Sequence, residues 1–215
     1  MIEAFRVSVR ELVSFSFFAP DIVPSGGTED MLAGTLAHQA RQRAQAEQFA
    51  IERTLKRELE RDGERALVFG RMDAFADGDV PIVEEIKLCR QTPDEALTEH
   101  MAQARLYGAL LIDEGGYARV TLRVAYVYEN GELARMFEET LDASTLTAFL
   151  DRLLLPWLAM AVRERDRALL RDESLRALRF PFDEYRAGQR ELAVQVYTAV
   201  ARKKRLFASL PTGTG

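Results

Sequence analysis

Apolar residues recur at every second position in the segment after Asp62-Gly63, and this dipeptide is itself a hairpin signal. Alternation sends side chains to one face of a strand, and here it runs through Ala66, Val68, Gly70 and Met72. The apolar spacing of the preceding segment, 48–59, fits either a strand or a helix. We favour a strand, because the hairpin turn joins this segment to the alternating one.

Further strands are predicted along the chain. A turn at Asp77-Gly78-Asp79 leads into 80–87, which is apolar apart from two acids and a lysine at its end. A later strand alternates through Val120, Leu122, Val124, Tyr126 and Tyr128. Asn130-Gly131 then predicts a hairpin, with a return strand that reaches about Thr140.

Helix signals precede the first strands. Ser8 and Glu11 have the spacing of a capping box, which predicts a short helix to about Phe18. A loop rich in proline and glycine follows, and a second helix is predicted from near Glu29.

Helix signals also lie between and after the later strands. Thr92-Pro93-Asp94-Glu95 predicts a helix with Thr at the N-cap and Pro at the first position, running to about Asp113. Helices are predicted from about 144 to 165 and on to 179. This order of elements predicts an α/β fold with a mixed central sheet flanked by helices.

The C-terminal segment has a different pattern. After a break at 180–182, the sequence predicts a helix over 185–204, a short strand over 205–209 and a Thr/Gly-rich end. We therefore predict a first domain over 1–179, with a helical C-terminal part, and a second segment over 180–215.

The composition is that of an ordinary soluble chain, with 215 residues, 47% hydrophobic and 29% charged. A net charge of −5 argues against a generally basic nucleic-acid binder but leaves room for a local basic groove. The single cysteine, Cys89, excludes an intrachain disulfide and a four-cysteine metal or iron–sulfur site. Without a signal-peptide pattern or a long uninterrupted apolar stretch, we expect a cytoplasmic protein with no membrane partner.

Candidate chemistry begins with Asp73, three residues after Gly70, and with Glu85 and Lys87. Residues two apart on a strand share a face, so Glu85 and Lys87 are expected to point together towards Asp73. Two carboxylates can bind a hard cation such as Mg²⁺, and a neighbouring lysine can stabilise charge on a phosphate. Taken alone, such acids are more often solvated charges at a sheet edge.

His38 is one of two histidines and lies four residues after Gly34 on the predicted second helix. Its ordinary interpretation is a surface or half-buried helix histidine. Its functional interpretation is a neutral imidazole that supplies a nitrogen ligand to the same metal. Gly34 would let the helix approach the sheet closely.

Gln103 and Tyr107 lie four residues apart and share a face of the helix after the acidic strand. In the ordinary interpretation Tyr107 faces the core and Gln103 is a surface amide. In the functional interpretation they hold a DNA phosphate or a stacked base beside the metal.

These four motifs, in this order and at this spacing over roughly residues 8–140, resemble the RecB-like branch of the PD-(D/E)XK nuclease superfamily. The resemblance implies a restriction-endonuclease-like fold. It implies His38, Asp73 and Glu85 as metal ligands, with the Ile86 carbonyl as a further one. Lys87 would be the catalytic lysine, and Gln103 and Tyr107 would bind DNA. Many relatives carry four cysteines for an iron–sulfur cluster, which this chain lacks.

The end of the chain resembles the start of a superfamily 2 helicase motor of the Rad3/DinG type. Gln189 matches the glutamine that reads adenine in such motors, and 211–215 resembles a phosphate loop that stops before its Lys and Ser/Thr. Gly213 and Gly215 would belong to that loop. The resemblance implies that ATP binds only when the rest of the motor is present, in the same polypeptide.

The expected function is a deoxyribonuclease dependent on Mg²⁺ or Mn²⁺, acting on single-stranded DNA within a helicase–nuclease of DNA repair or processing. The preference for single strands comes from the resemblance and from no residue in particular. The competing hypothesis is a non-catalytic DNA-binding or regulatory module of a helicase. A third, an ATPase that works by itself, is disfavoured because the phosphate-loop lysine is missing.

Overall fold

The computed structural model describes residues 4–17, 28–179 and 183–209. The N-terminal part holds β1 (Phe5–Ser8), α1 (Val9–Ser16), α2 (Thr28–Gln45), β2 (Ala50–Ile51), β3 (Thr54–Arg61), β4 (Glu64–Arg71) and β5 (Ala74–Ala76). It is followed by β6 (Ile82–Leu88), α3 (Thr98–Gly115), β7 (Arg119–Val127), β8 (Leu133–Asp142), α4 (Ala143–Ala177) and α5 (Gln189–Ala201).

The strands form two mixed sheets with the orders β1-β4-β3 and β2-β5-β6-β7-β8. The β1/β4 and β6/β7 pairs are parallel, and the other neighbouring pairs are antiparallel. The predicted class is confirmed as α/β, with mixed sheets flanked by helices and a helical segment at the C-terminal end. The single central sheet of the prediction is instead divided in two.

The division arises from a bend in the hairpin that holds β2 to β5. At the bend, the Met72 N–H donates to the Arg53 carbonyl over 2.9 Å, and the Glu52 N–H donates to the Asp73 carbonyl over 3.2 Å. Glu52 has a φ of 56°, in the left-handed region that non-glycine residues seldom adopt. The bend therefore interrupts the regular ladder at Asp73, the first of the candidate acids.

The ambiguous segment 48–59 contains strands, as predicted. β3 pairs with β4 from Thr54↔Arg71 to Arg61↔Glu64. Asp62 and Gly63 between them have φ values of 52° and 77°, as a type I′ hairpin turn requires. The turn chemistry therefore fixes the register that places Gly70 and Asp73 at the far end of the hairpin.

The hydrophobic core lies where α1, α3 and the first half of α4 meet the sheets. The capping box is present, since the Ser8 hydroxyl accepts from the Glu11 N–H and the Glu11 carboxylate accepts from the Ser8 N–H. Gly108 lets α3 lie close to β7, because an added Cβ would be 2.7 Å from a Leu122 methyl. From α4, the core receives Leu146, Phe149, Leu150, Leu153, Leu154 and Leu158.

The prediction that α3 begins at Thr92 is wrong, because the helix begins at Thr98. The Thr92 hydroxyl contacts the Tyr128 hydroxyl at 2.6 Å, and the Pro93 carbonyl accepts from Arg135 at 3.1 Å. These tertiary contacts hold the Thr-Pro segment outside the helix. The helix ends at Gly115, close to the predicted end at about Asp113, with Gly116 in the left-handed conformation.

By length and composition alone, α4 is apolar enough to cross a bilayer. Core helices of soluble proteins pass the same test, and the N-terminal half of α4 packs its leucines into the core. The first unit therefore has the organisation of a soluble domain.

The chain divides into two compact units, Met1–Arg165 and Asp166–Gly215, a division that falls inside α4. The boundary expected at 179/180 stays a prediction. In the second unit, no residue of α5 is buried. The predicted strand over 205–209 is not formed, since these residues lack a pairing partner among the described residues. Residues 210–215 lie outside the described residues.

Candidate active site

Glu85 and Lys87 project from the same face of β6, as strand periodicity predicts. The Lys87 ammonium lies 2.6 Å from Glu85 Oε1 and donates to Gln103 Oε1 over 3.2 Å. Glu85 is almost completely buried, whereas 18% of the Lys87 side chain is exposed. The lysine therefore stands between a buried carboxylate and the surface, held by partners from a strand and a helix.

Asp73 lies beside this pair, at the bend between β4 and β5. Its Oδ2 accepts the Ile86 N–H over 2.8 Å, so the carboxylate is fixed against β6. Its own carbonyl accepts from the Gln42 side-chain amide at 3.0 Å. Asp73 is thus held by β6 through its side chain and by α2 through its main chain.

His38 reaches the same point from α2, with its Nδ1 3.7 Å from Asp73 Oδ1. Burial lowers the pKa of the imidazole, and the nearby Lys87 charge lowers it further, while Asp73 and a hydrogen bond to the Ile86 backbone act in the opposite direction. His38 is therefore a neutral imidazole at neutral pH, the form that ligates metals.

Burial raises the pKa of Glu85 to about 7, and the neighbouring Asp73 charge adds to the rise, while Lys87 opposes it. One oxygen of this carboxylate, Oε2, is buried without a hydrogen-bond partner among the described residues. A buried carboxylate oxygen that lacks a donor gains most from a nearby cation.

No three His, Cys, Asp or Glu side chains in the described ranges already surround a common point. The contacts give the reason, since Lys87 holds one oxygen of Glu85 and the Ile86 N–H holds one oxygen of Asp73. Each carboxylate keeps its other oxygen for a ligand. Oxygen donors with one imidazole match the preferences of Mg²⁺ and Mn²⁺, so the residues present fit such an ion.

Tyr107 packs into the core beside the site, as in its ordinary interpretation, and its predicted contact with DNA stays a prediction. The side chain is buried, with its hydroxyl donating to the Arg71 carbonyl over 2.9 Å, and burial raises its pKa. The ring lies against Gly70, where an added Cβ would come within 2.7 Å of Tyr107 Cε1. These contacts favour a role in supporting the Gly70–Asp73 segment over contact with a base.

The α2 helix presents His38, Arg41 and Gln42 on one face, at spacings of three and four residues. Arg41 forms a bidentate ion pair with the fully buried Glu84, at 3.1 and 3.3 Å. Glu84 faces away from Glu85, as adjacent residues of a strand do. Together these contacts dock α2 on β6 with His38 at the site.

The close approach expected at Gly34 is not made by the described residues, since an added Cβ there would meet none of their atoms within 4 Å. The close contact with α2 comes from the β7–β8 turn. There, a Cβ on Gly131, whose φ is 81°, would overlap the Cβ of Ala40.

All of the predicted side chains of the first unit line one cleft of about 330 Å³: His38, Asp73, Glu85, Lys87, Gln103 and Tyr107. The cleft also contains Arg10 and Arg71, which the sequence reasoning did not select. Both belong to elements that it predicted, but no motif marks them, and only the folded chain shows that they meet the acids. A larger groove of about 740 Å³, between Arg105 and Arg152, contains none of these residues.

In the second unit, Gln189 is the first residue of α5, and its side-chain oxygen accepts from the Arg186 N–H over 2.9 Å. Gly213 and Gly215 lie outside the described residues. The adenine and phosphate contacts suggested for these residues therefore stay predictions.

No family model matches the chain, and no curated protein is significantly similar to it in sequence. Among solved structures, the crystal structure of SSO0001 is similar over 72% of this chain and 77% of that chain, with 19% identity and a TM-score of 0.48. A match at this level carries no inference about function.

Proposed function

We propose that this protein is a metal-dependent deoxyribonuclease that hydrolyses phosphodiester bonds. One observation carries the proposal above the others. Two carboxylates, an imidazole and an ammonium from three separate elements meet in one cleft, and a buried oxygen of Glu85 there has no donor among the described residues. A solvated edge cluster has no reason to bury an acid in this way.

His38, Asp73 and Glu85, with the Ile86 carbonyl, would hold Mg²⁺ or Mn²⁺. When bound, such an ion lowers the pKa of a water and neutralises charge on the phosphate. The Ile86 N–H keeps one Asp73 oxygen fixed, so the other points in a constant direction. Burial keeps His38 neutral and its ring nitrogen able to donate its lone pair.

Lys87 would supply the positive charge that stabilises the negative charge developing on a phosphodiester as water attacks it. Its ammonium is oriented by Glu85 and Gln103, and its partial exposure lets a substrate oxygen reach it. A preoriented donor in a poorly solvated cleft stabilises developing negative charge without reorganising. Lys87 would therefore orient the attacking water or stabilise the charged phosphorus centre.

Single-stranded DNA as substrate, a cytoplasmic location, and a place at the front of a helicase–nuclease are further parts of this proposal. They rest on the resemblance of the motifs and of the C-terminal segment. The alternative is a module that grips DNA without cutting it, and it predicts binding in EDTA with no products after Mn²⁺ is added.

The test is digestion of fluorescent oligonucleotides, as single strands, duplexes and flaps, in Mg²⁺ and in Mn²⁺. Asp73→Ala and Lys87→Ala should each reduce cleavage at least about a hundredfold while leaving the fold intact. Lys56→Ala, at an exposed position on β3, is the matched control and should cleave normally. Cleavage retained in either site variant would refute the assignment.

A further inference from the structure

The candidate active site lies along a trough and not in a closed pocket. Its cleft of about 330 Å³ adjoins a second cleft of about 380 Å³, and both are lined by Arg10, His38, Arg71 and Asp73. From these shared residues the second cleft extends along α2, past Thr35 and Gln39. A trough that continues past the reactive residues suits a long ligand better than a small one.

Arg10 is an exposed side chain of α1 that lines both clefts. No ion-pair partner for it occurs within the described ranges of the chain. Its positive charge lowers the pKa values of Glu85 and His38, so it acts on the site electrostatically. An arginine at the rim of an acidic site, with its guanidinium open to solvent, is suited to a phosphate.

Arg71 lines both clefts as well, but it has an anionic partner. Its Nη1 lies 3.1 Å from Glu52 Oε2, and 63% and 50% of the two side chains are exposed. Such an exposed pair contributes little stability, so an approaching phosphate can displace the carboxylate. Glu52 thus occupies the place that a phosphate oxygen would take on Arg71.

We propose that the trough binds the backbone phosphates that flank the reactive one, with Arg10 and Arg71 as phosphate contacts and Glu52 as an internal competitor. The ligand class is a phosphodiester strand with several phosphates, tested as single-stranded DNA. This inference rests on the proposed nuclease function of the same site. It predicts that one substitution weakens DNA binding and another strengthens it, whereas a general loss of folding would only weaken binding.

The experiment measures binding of a fluorescent oligothymidine by anisotropy in EDTA, across a series of NaCl concentrations. Arg10→Ala should weaken binding about five- to tenfold at 0.1 M NaCl, and should reduce the slope of log K against log salt by about one. Glu52→Gln should tighten binding about threefold, because Arg71 then meets no competing carboxylate.

Two control variants match these substitutions. Arg119→Ala removes an exposed arginine at the start of β7, away from the Lys87↔Tyr126 end of the β6/β7 pair. Glu58→Gln removes the acid of a similarly exposed pair on the same hairpin, 2.8 Å from Arg65. Both should bind the oligonucleotide as the wild-type protein does.

Wild-type affinity in Arg10→Ala, or no gain in Glu52→Gln, would overturn the inference even if the protein cleaves DNA. Failure of the wild-type protein to bind the strand at low salt would overturn it too. Conversely, Arg10-dependent binding without cleavage in Mn²⁺ would leave this inference standing and refute only the proposed nuclease activity.

Discussion

The buried, charged carboxylate of Glu85 lowers the free energy of unfolding of the protein when no metal is bound. Burial and the Asp73 charge raise its pKa from an ordinary value of 4.5 to about 7. Replacing it with glutamine gives a neutral side chain of the same shape, which imitates the protonated acid. We therefore expect Glu85→Gln to stabilise the metal-free protein at neutral and alkaline pH.

The magnitude follows from the two pKa values of Glu85. Since each pKa unit is worth about 1.4 kcal/mol, the rise from 4.5 to about 7 corresponds to about 3 kcal/mol. A raised pKa means that the folded state binds the extra proton, so this stability is fully present below pH 4.5. It is lost as the pH rises from 4.5 through about 7, and the loss is complete above that value.

The assay is urea unfolding of the whole chain in EDTA, at pH 4.5 and at pH 8. The transition that is measured is that of the first unit. Glu85→Gln should exceed the wild-type free energy of unfolding by about 3 kcal/mol at pH 8 and match it at pH 4.5. Glu129→Gln, at an exposed position, is the control and should change the value by less than about 0.5 kcal/mol at either pH. Equal differences at both pH values, or a destabilised Glu85→Gln at pH 8, would refute the reasoning.

Further predictions concern the packing around the site. Gly70→Ala forces its new Cβ into the Tyr107 ring and should cost about 2 kcal/mol in urea unfolding. Gly34→Ala on α2, where an added Cβ meets no atom of the described residues, is the control and should not destabilise the protein. Arg41→Met leaves Glu84 buried without its partner and should cost about 3–5 kcal/mol. Thermal unfolding should show that adding Glu84→Met restores most of that stability; a double variant no better than the single one would contradict this explanation.

Many elements of the fold are determined by residues close together in the sequence, and those elements could be predicted from it. Asp62-Gly63 and Asn130-Gly131 specify hairpins through their own conformational preferences, and Ser8 specifies a helix start through its side chain. The start of α3 depends on distant residues, because Thr92 contacts Tyr128, just after β7, and Pro93 contacts Arg135 of β8. A strand at 205–209 could not be predicted from these residues alone, since a strand needs a neighbouring strand to pair with.

Some features of the candidate site could likewise be predicted from the sequence, and others could not. Glu85 and Lys87 are readable together because a strand repeats every two residues, and the ordered motifs add Asp73 and His38. The trough is not readable, because Arg10 and Arg71 come from separate elements and meet only in the folded chain. The function of Tyr107 is equally hidden, since its contact with Gly70 joins residues distant in sequence.

Glu84 and Glu85 are adjacent and chemically identical, yet each serves a different side of the sheet. Arg41 neutralises one from α2, and Lys87 accompanies the other in the cleft. A slip of β6 by one residue along β7 would exchange their faces and turn Lys87 away from the cleft. The acid that faces the cleft is therefore defined by strand register rather than by residue type. In related sequences with two adjacent glutamates, the one that corresponds to Glu85 should be the glutamate with a lysine two residues after it.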